Sequence, residues 1–189
     1  MLTFGTAPYV APEMAGHFRH NAMFIGGNVR DAVNDGRADY TPIYLSEIEG
    51  LFESGELPVD VALVEVSPPD AHGYCSLGIG VDTTMTAARL AKFVVAQVND
   101  RMPRTYGDSF IHVSKISAFV ESSRPLCEMP KEEPTELQRA IARNVATLIE
   151  DGATLQIGIG GIPSAVLPYL MDRRDLGIGE GWARFADVE

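Results

Sequence analysis

The chain has 189 residues, of which 46% are hydrophobic and 8% aromatic, enough for one domain with a real core or for two small ones. The net charge of −11 disfavours nucleic acid as a partner and leaves any anionic ligand to be held by local donors. No apolar run reaches the roughly 20 residues of a membrane span, and residues 1–16 lack the layout of a signal peptide. With only two cysteines, both expected to be buried apolar side chains without a disulfide, we predict a cytoplasmic protein.

The first unit along the chain joins a strand to a helix through glycines. A strand-like run covers Ala22–Gly26, and a predicted helix, Val29–Asn34, ends before Gly36. Asn28 either caps that helix or faces a ligand, and the cap is the simpler interpretation. Arg30 is a weaker candidate for ligand contact.

Two histidines near the start have the spacing of metal ligands. His17 and His20 are three residues apart, but no acidic or cysteine cluster accompanies them in the sequence. We therefore expect a surface helix end at this point, and no metal site.

A helix and a buried strand follow. Tyr40–Leu57 carries apolar residues at helical spacing, and Gly55 and Pro58 would end it. Val59–Val66 is almost continuously apolar, which predicts a parallel strand covered on both faces. Glu65 lies inside this run, so its carboxylate needs a partner or a raised pKa if it is buried.

The loop after that strand is the first candidate for ligand binding. Residues 67–84 are rich in Pro, Gly, Ser and Asp, and ligands of open parallel sheets bind beyond the carboxyl ends of strands. His72, Gly73 and Tyr74 are its candidate site residues. The His72 imidazole can donate to a carbonyl or phosphate oxygen of a ligand, or simply bond to nearby backbone.

The middle of the chain repeats the same alternation. It predicts a helix at Thr83–Ala91, a buried strand at Phe93–Val98 and further strands at 110–113 and 115–121. Arg101 and Arg104 lie in the loop that follows the strand Phe93–Val98. Their planar guanidinium donors could bind an anion, although solvated charges are the commoner outcome.

The clearest helix precedes a glycine-rich turn. Thr135–Glu150 opens with a capping box, and its apolar stripe is Leu137, Ile141, Val145 and Leu148. The apolar run Ala153–Ile159 predicts a strand, and Pro163–Met171 predicts a helix with proline at its first position. Between them lies a glycine turn whose backbone N–H groups suit an anionic or polarised group, unless it is only a tight connection. Its candidate residues are Gly158, Gly160, Gly161, Ile162 and Pro163.

The alternation of strands and helices predicts an α/β fold with a mostly parallel sheet, flanking helices and right-handed crossovers. Four stretches resemble the acetyl-CoA hydrolase/transferase family, and within it the 4-hydroxybutyrate CoA-transferases in particular. They read HFRHNAMFIGGNVRDAVNDGRADYTPIYLSEI, VDVALVEVSPPDAHGYCSLGIGVD, VNDRMPRTYGDSFIHVSKI and GIGGIPSAV. The resemblance covers roughly residues 15–178.

The resemblance implies a class I CoA-transferase of the NagB/RpiA/CoA-transferase-like fold. Its partners would be an acyl-CoA such as acetyl-CoA and a short-chain carboxylate, with coenzyme A as a substrate and no permanently bound cofactor. It also implies a homo-oligomer and nucleophilic catalysis by a glutamate, with backbone donors stabilising each oxyanion.

Family chains are about twice as long by resemblance, and the tail after residue 178 departs from the family pattern. We therefore expect a fragment or truncated product, incomplete relative to the family, with no catalytic residue in this chain. Residues 1–128 would belong to the amino-terminal domain, 129–178 to a continuing βα unit and 179–189 to a divergent tail.

Two other classes of function stay open. The chain could be a non-catalytic binding or assembly module that leaves an apolar face uncovered. A sugar-phosphate isomerase is compatible with the same general fold, but that rests on fold analogy alone.

Overall fold

The structure is a computed structural model that describes residues 6–127, 133–158 and 160–178. The chain divides into two compact units, Met1–Glu128 and Met129–Glu189. The predicted strand end at Ile159 and the tail at 179–189 lie outside the described residues.

The first unit alternates strands and helices along the chain. Its elements are β1 (Asn21–Ala22), α1 (Gly27–Asn34), β2 (Asp39–Tyr40), α2 (Ile48–Glu53), β3 (Val61–Val66), β4 (Tyr74–Ser76), α3 (Thr84–Leu90), β5 (Phe93–Asn99), β6 (Phe110–His112) and β7 (Ala118–Ser122). Short 3₁₀ turns are Pro8–Val10, Pro12–Met14, Leu45–Glu47 and Val113–Lys115.

Three parallel strands form the central sheet of this unit, in the order β3-β5-β7. One face carries the core, where Val64 and Val66 of β3 and Ala96 of β5 pack with Met85 and Ala88 of α3. Two further strand pairs stand beside this sheet: β1 runs parallel to β2, and β4 runs antiparallel to β6. A mostly parallel α/β fold is therefore confirmed.

The second unit is smaller. Its elements are α4 (Glu136–Ala146), β8 (Thr154–Leu155), α5 (Gly161–Val166), the 3₁₀ turn Leu167–Leu170 and β9 (Gly177–Ile178). β8 and β9 pair in parallel. Its core joins Ala142 and Ala146 of α4 to Ala165 and Val166 of α5 and to Leu170.

Several elements are shorter than the sequence predicts. The helix predicted over 40–57 is confined to the 3₁₀ turn Leu45–Glu47 and to Ile48–Glu53. Tyr40 belongs to β2 instead, because Asp39 and Tyr40 pair with β1. The strand predicted at Ala153–Ile159 is a two-residue pair, Thr154–Leu155.

Burial corrects four further predictions. The strand β3 is not covered on both faces, since Leu63 is 77% exposed. In α4, Leu137 and Leu148 of the predicted stripe are exposed, whereas Val145 packs against the core. The most buried residues of the helix are Ala142 and Ala146, whose small side chains let α4 and α5 approach closely. Cys127 is exposed, whereas Cys75 is buried, and both are free thiols. His20 is buried rather than at a surface helix end.

Candidate functional site

The His72–Tyr74 turn is organised by one carboxylate. Asp70 Oδ1 accepts hydrogen bonds from the backbone N–H of His72 and of Tyr74, both at 2.9 Å. These bonds, that of Tyr74 first, and the neighbouring Arg104 guanidinium hold the pKa of Asp70 below its ordinary value of 3.8. The carboxylate is therefore ionised at neutral pH and committed to holding the turn.

Arg104 ties the turn to the rest of the unit. Its Nη2 donates to Asp70 Oδ2 at 3.0 Å and its Nη1 donates to the Tyr74 carbonyl at 3.0 Å. The guanidinium also lies 5.0 Å from the centre of the Phe110 ring. Arg104 is thus a structural clamp on the turn, so its planar donors bind a carboxylate of the protein. Arg101 stays exposed at the surface.

The backbone at Gly73 favours glycine. Its φ is +81°, and a Cβ atom there would lie 2.9 Å from His112 Nε2. The Tyr74 and His112 rings, paired across β4 and β6, meet edge to face with centres 5.0 Å apart. The backbone is therefore rigidly placed, and it leaves the His72 side chain exposed and Tyr74 partly exposed at the rim of the sheet.

Asn28 and Arg30 occupy a separate place, in helix α1. The cap of that helix is Gly26, so Asn28 is not the capping residue but lies inside the first turn. Asn28 is half-buried and Arg30 is exposed. The capping interpretation of Asn28 was wrong because the helix begins two residues earlier than the sequence pattern indicates.

The glycine turn of the second unit has an open backbone. Gly158, Gly160 and Gly161 are exposed, and Ile162 is 41% exposed. Gly160 has φ of +137°, a conformation that favours glycine, and it precedes the first residue of α5. Side chains among the described residues of this unit, 133–158 and 160–178, therefore do not seal the turn.

Pro163 is the third residue of α5 and not the first as predicted, since the helix begins at Gly161. The missing N–H of proline is harmless at either position, because the first four N–H groups of a helix have no partner within it. The backbone N–H groups of Gly161 and Ile162 belong to that first turn, so they are donors available to a bound group.

The Gln138 side chain lies against Gly161, the first residue of α5. Its side-chain oxygen accepts from the Thr135 backbone N–H at 2.8 Å, within the predicted capping box of α4. A Cβ atom at Gly161 would collide with the Gln138 side-chain nitrogen, so the glycine allows α4 and α5 to meet. The sequence pattern locates the cap but not this contact, because the two residues are far apart along the chain.

Glu65 has the partners that a half-buried carboxylate requires. Its Oε1 accepts from Asn99 Nδ2 at 2.8 Å and Gln97 Nε2 at 3.1 Å, and Arg124 Nη2 donates to its Oε2 at 3.0 Å. Burial alone would raise the pKa of Glu65, but the hydrogen bonds from Arg124, Asn99 and Gln97 outweigh it and the pKa lies below the ordinary value. A carboxylate that is ionised and hydrogen-bonded at both oxygens is a poor general base. We therefore interpret Glu65 and its partners as a structural network at the ends of the strands.

No group of three or more His, Cys, Asp or Glu side chains suited to a metal ion occurs in the part of the chain that the structure describes. Within those same ranges, no helix has the length and the apolar character to cross a bilayer.

The fold agrees with comparisons to known proteins. Residues 1–129 match the family described as the acetyl-CoA hydrolase/transferase N-terminal domain. The chain belongs to this family, which is a family of enzymes.

Two relatives illustrate the similarity. The chain is 55% identical over 178 residues to the 4-hydroxybutyrate coenzyme A transferase of Clostridium kluyveri, covering 94% of this chain and 42% of that protein. It is 48% identical over 172 residues to the succinyl-CoA:acetate/propanoyl-CoA:succinate CoA transferase of Fasciola hepatica, covering 90% of this chain and 36% of that protein. The chain therefore spans about two fifths of the length of the relatives it matches.

A solved structure gives the same result for the fold. RipA from Yersinia pestis is 35% identical with a TM-score of 0.77, covering 90% of this chain and 41% of that chain. The predicted family and a fold incomplete relative to it are both confirmed.

Proposed function

We propose that this chain is part of a CoA-transferase that moves CoA from an acyl-CoA, such as acetyl-CoA, to a short-chain carboxylate such as 4-hydroxybutyrate or butyrate. Coenzyme A is a substrate, and no resident cofactor takes part. The observation that carries the proposal is the 55% identity to a 4-hydroxybutyrate CoA-transferase over 94% of the chain.

Each of the two turns is a separate candidate for substrate contact. In the glycine turn, the backbone N–H groups of the exposed residues Gly161 and Ile162 stabilise the oxyanion that forms when a thioester or anhydride carbonyl is attacked. In the first unit, the His72–Tyr74 turn offers an exposed imidazole and a tyrosine ring to a ligand. Asn28 and Arg30 are secondary candidates for contact with substrate.

The nucleophile is a glutamate supplied by polypeptide outside this chain. Its carboxylate attacks the acyl-CoA carbonyl, which forms an acyl-glutamyl anhydride and releases CoA thiolate. The thiolate then attacks the glutamyl carbonyl, which gives a glutamyl-CoA thioester and the free acid of the donor. The acceptor carboxylate attacks the carbonyl of this thioester, which forms a second anhydride and releases CoA thiolate again. The thiolate finally attacks the acceptor's acyl carbonyl, which gives the acceptor's CoA thioester and frees the glutamate carboxylate. The complete enzyme acts in the cytoplasm as a homo-oligomer.

Turnover of the chain by itself tests this assignment. With acetyl-CoA and 4-hydroxybutyrate we expect no CoA transfer, because the nucleophile is missing. A chimera in which this chain replaces the 178 matched residues of the Clostridium kluyveri enzyme should transfer CoA. Robust transfer by the chain alone would contradict the proposal, as would a folded chimera that is inactive while the parent enzyme is active.

Hydrolysis is the nearest alternative, since the family name includes it. In the chimera, release of free CoA from acetyl-CoA without an acceptor carboxylate would identify a hydrolase. Release that depends on 4-hydroxybutyrate would identify a transferase.

A second candidate is a non-catalytic assembly module of a split CoA-transferase. The exposed apolar face of the central sheet favours it, because such a face normally lies against other polypeptide. Purified chain that associates with the remainder of the enzyme, but adds nothing to turnover, would support this role.

A further inference from the structure

His20 is a buried imidazole of which one nitrogen is unpaired. The side chain is 9% exposed and directly precedes strand β1. Its Nε2 atom is enclosed and has no hydrogen-bond partner among the described residues. Buried polar side-chain atoms in native proteins are nearly always hydrogen-bonded, so an exception of this kind points to a group with a further role.

The ring lies on a small cavity in the first unit. Tyr9 and Arg37 line this cavity together with His20, and its other lining residues are apolar. The centres of the Tyr9 and His20 rings are 5.5 Å apart. The cavity has a volume of about 10 Å³, which is room for about one water molecule. A neutral imidazole is accommodated there, but a charged one needs more solvation than so little space allows.

The ionised groups around this cavity provide His20 with no counter-ion. Within the described residues, Arg37 is the one ionised side chain that lines the cavity, and its charge has the same sign as that of an imidazolium. The Arg37 guanidinium also pairs with Asp35 at 2.9 Å, so the charge of that carboxylate is already matched. Burial holds the pKa of His20 below its ordinary value of 6.5, and the charge of the amino terminus adds to this effect.

The other charged groups of the segments that meet at the cavity do not line it. Arg19 and Asp39 form an exposed ion pair with each other. Glu13 and His17 are exposed and are not part of the cavity wall. None of these carboxylates is therefore placed to stabilise a proton on the His20 ring.

Two contacts at the cavity join residues 8–14, which contain two 3₁₀ turns, to the β1–β2 pair. Tyr9 supplies the ring contact with His20, and the Val10 carbonyl accepts a hydrogen bond from Arg37 Nη1. The His20 backbone is held separately, because its carbonyl accepts from the Asp39 backbone N–H at 2.7 Å. Movement of residues 8–14 away from the ring would therefore open the cavity to water while His20 stays in place.

We propose that residues 8–14 and His20 form a pH-sensitive closure, in which the segment covers the neutral ring and protonation of the ring releases it. The closed state binds fewer protons than the open state, because the pKa of His20 is lowered only while the ring is covered. The stabilisation is fully present above the ordinary value of 6.5 and is lost as the pH falls from there to the closed-state pKa. This inference does not rest on the proposed CoA transfer.

Hydrogen exchange of the whole chain, read peptide by peptide by mass spectrometry and corrected for the intrinsic effect of pH, tests the closure. The hydrogen-bonded amides of Val10 and Met14 supply the signal. From about pH 7.0 to about pH 5.5 we expect their protection to fall at least about 3-fold, within the roughly 8-fold that one proton permits. Protection of β5 in the same unit should stay constant. His20→Gln should abolish the pH dependence, and His17→Gln, at an exposed histidine, should keep it.

A pH dependence that survives His20→Gln, or that is missing from the parent chain, would overturn the proposal. A parallel loss of protection in β5 would overturn it as well, since the unit would then open as a whole. If His20→Gln does not fold, NMR titration of the His20 ring in the unchanged chain takes its place. A midpoint below 6.5 together with the loss of protection at residues 8–14 supports the closure, and a midpoint at or above 6.5 overturns it.

Discussion

The two candidate turns are held in opposite ways. The His72–Tyr74 turn is fixed by side chains from outside it. Asp70 accepts hydrogen bonds from its backbone N–H groups, and Arg104 donates to Asp70 and to the Tyr74 carbonyl. In the Gly158–Pro163 turn, Gly158, Gly160 and Gly161 are exposed; Gly158 has open space around it, and Gln138 lies against Gly161. A side-chain network holds a turn rigidly, whereas an exposed backbone turn offers N–H donors that a ligand can reach. This difference supports the proposal that the glycine turn contacts the reacting group.

The largest effect that separates the two turns is expected at Gly73. Gly73→Ala places a Cβ atom against the His112 ring at a positive φ, so it should lower the free energy of unfolding by about 2–3 kcal/mol. Gly16→Ala is the control, since Gly16 has a similar φ of +86° with nothing within 4 Å of the added atom. Urea unfolding of both variants gives the comparison. Equal losses would mean that the His112 contact does not constrain the turn.

A smaller effect is expected where Gln138 meets Gly161. Gly161→Ala should displace the Gln138 side chain from Thr135 and so remove part of the α4 cap. In a Gln138→Ala background the same change meets no such obstacle. A double-mutant cycle should therefore give a coupling energy of about 1 kcal/mol, and additive effects would refute the contact.

The smallest effect concerns acid and Asp70. The pKa of this carboxyl is lowered in the folded state, so its contribution is present above the ordinary value of 3.8 and is lost as the pH falls through the folded-state pKa. Asp70→Asn should therefore be less stable than the parent chain at pH 6, and the difference should shrink as the medium becomes strongly acidic. The effect is modest because water reaches the carboxylate. A difference that stays constant down to pH 2 would show that its charge is unimportant to the turn.

The sequence predicts the parts of this fold that local patterns determine. The apolar runs of β3 and β5 and the capping box at Thr135 are found where they are predicted. The Arg104 clamp on Asp70 was missed, because the two residues are 34 positions apart and only the fold brings them together.

Burial is the property that local patterns predicted least well. The continuous apolar run around Leu63 correctly indicates a parallel strand, but it does not indicate that Leu63 itself is 77% exposed. Leu137 and Leu148 fit a helical stripe, yet the close approach of α5 selects Ala142 and Ala146 as the packed residues. The sequence predicts that a buried Glu65 carboxylate needs a partner or a raised pKa. The structure shows that the partners are Gln97, Asn99 and Arg124.

The central claim is that the open glycine turn, and not the braced turn, contacts the reacting group. Measuring kcat/KM of the active chimera with Gly160→Ala tests it most directly. Gly152→Ala is the control, since Gly152 also has a positive φ, +77°, and lies in the turn before β8, because α4 ends at Ala146. We predict at least about a 10-fold loss for Gly160→Ala, as expected for a displaced oxyanion donor, and little change for the control. Equal kcat/KM values for the two folded variants would contradict the account.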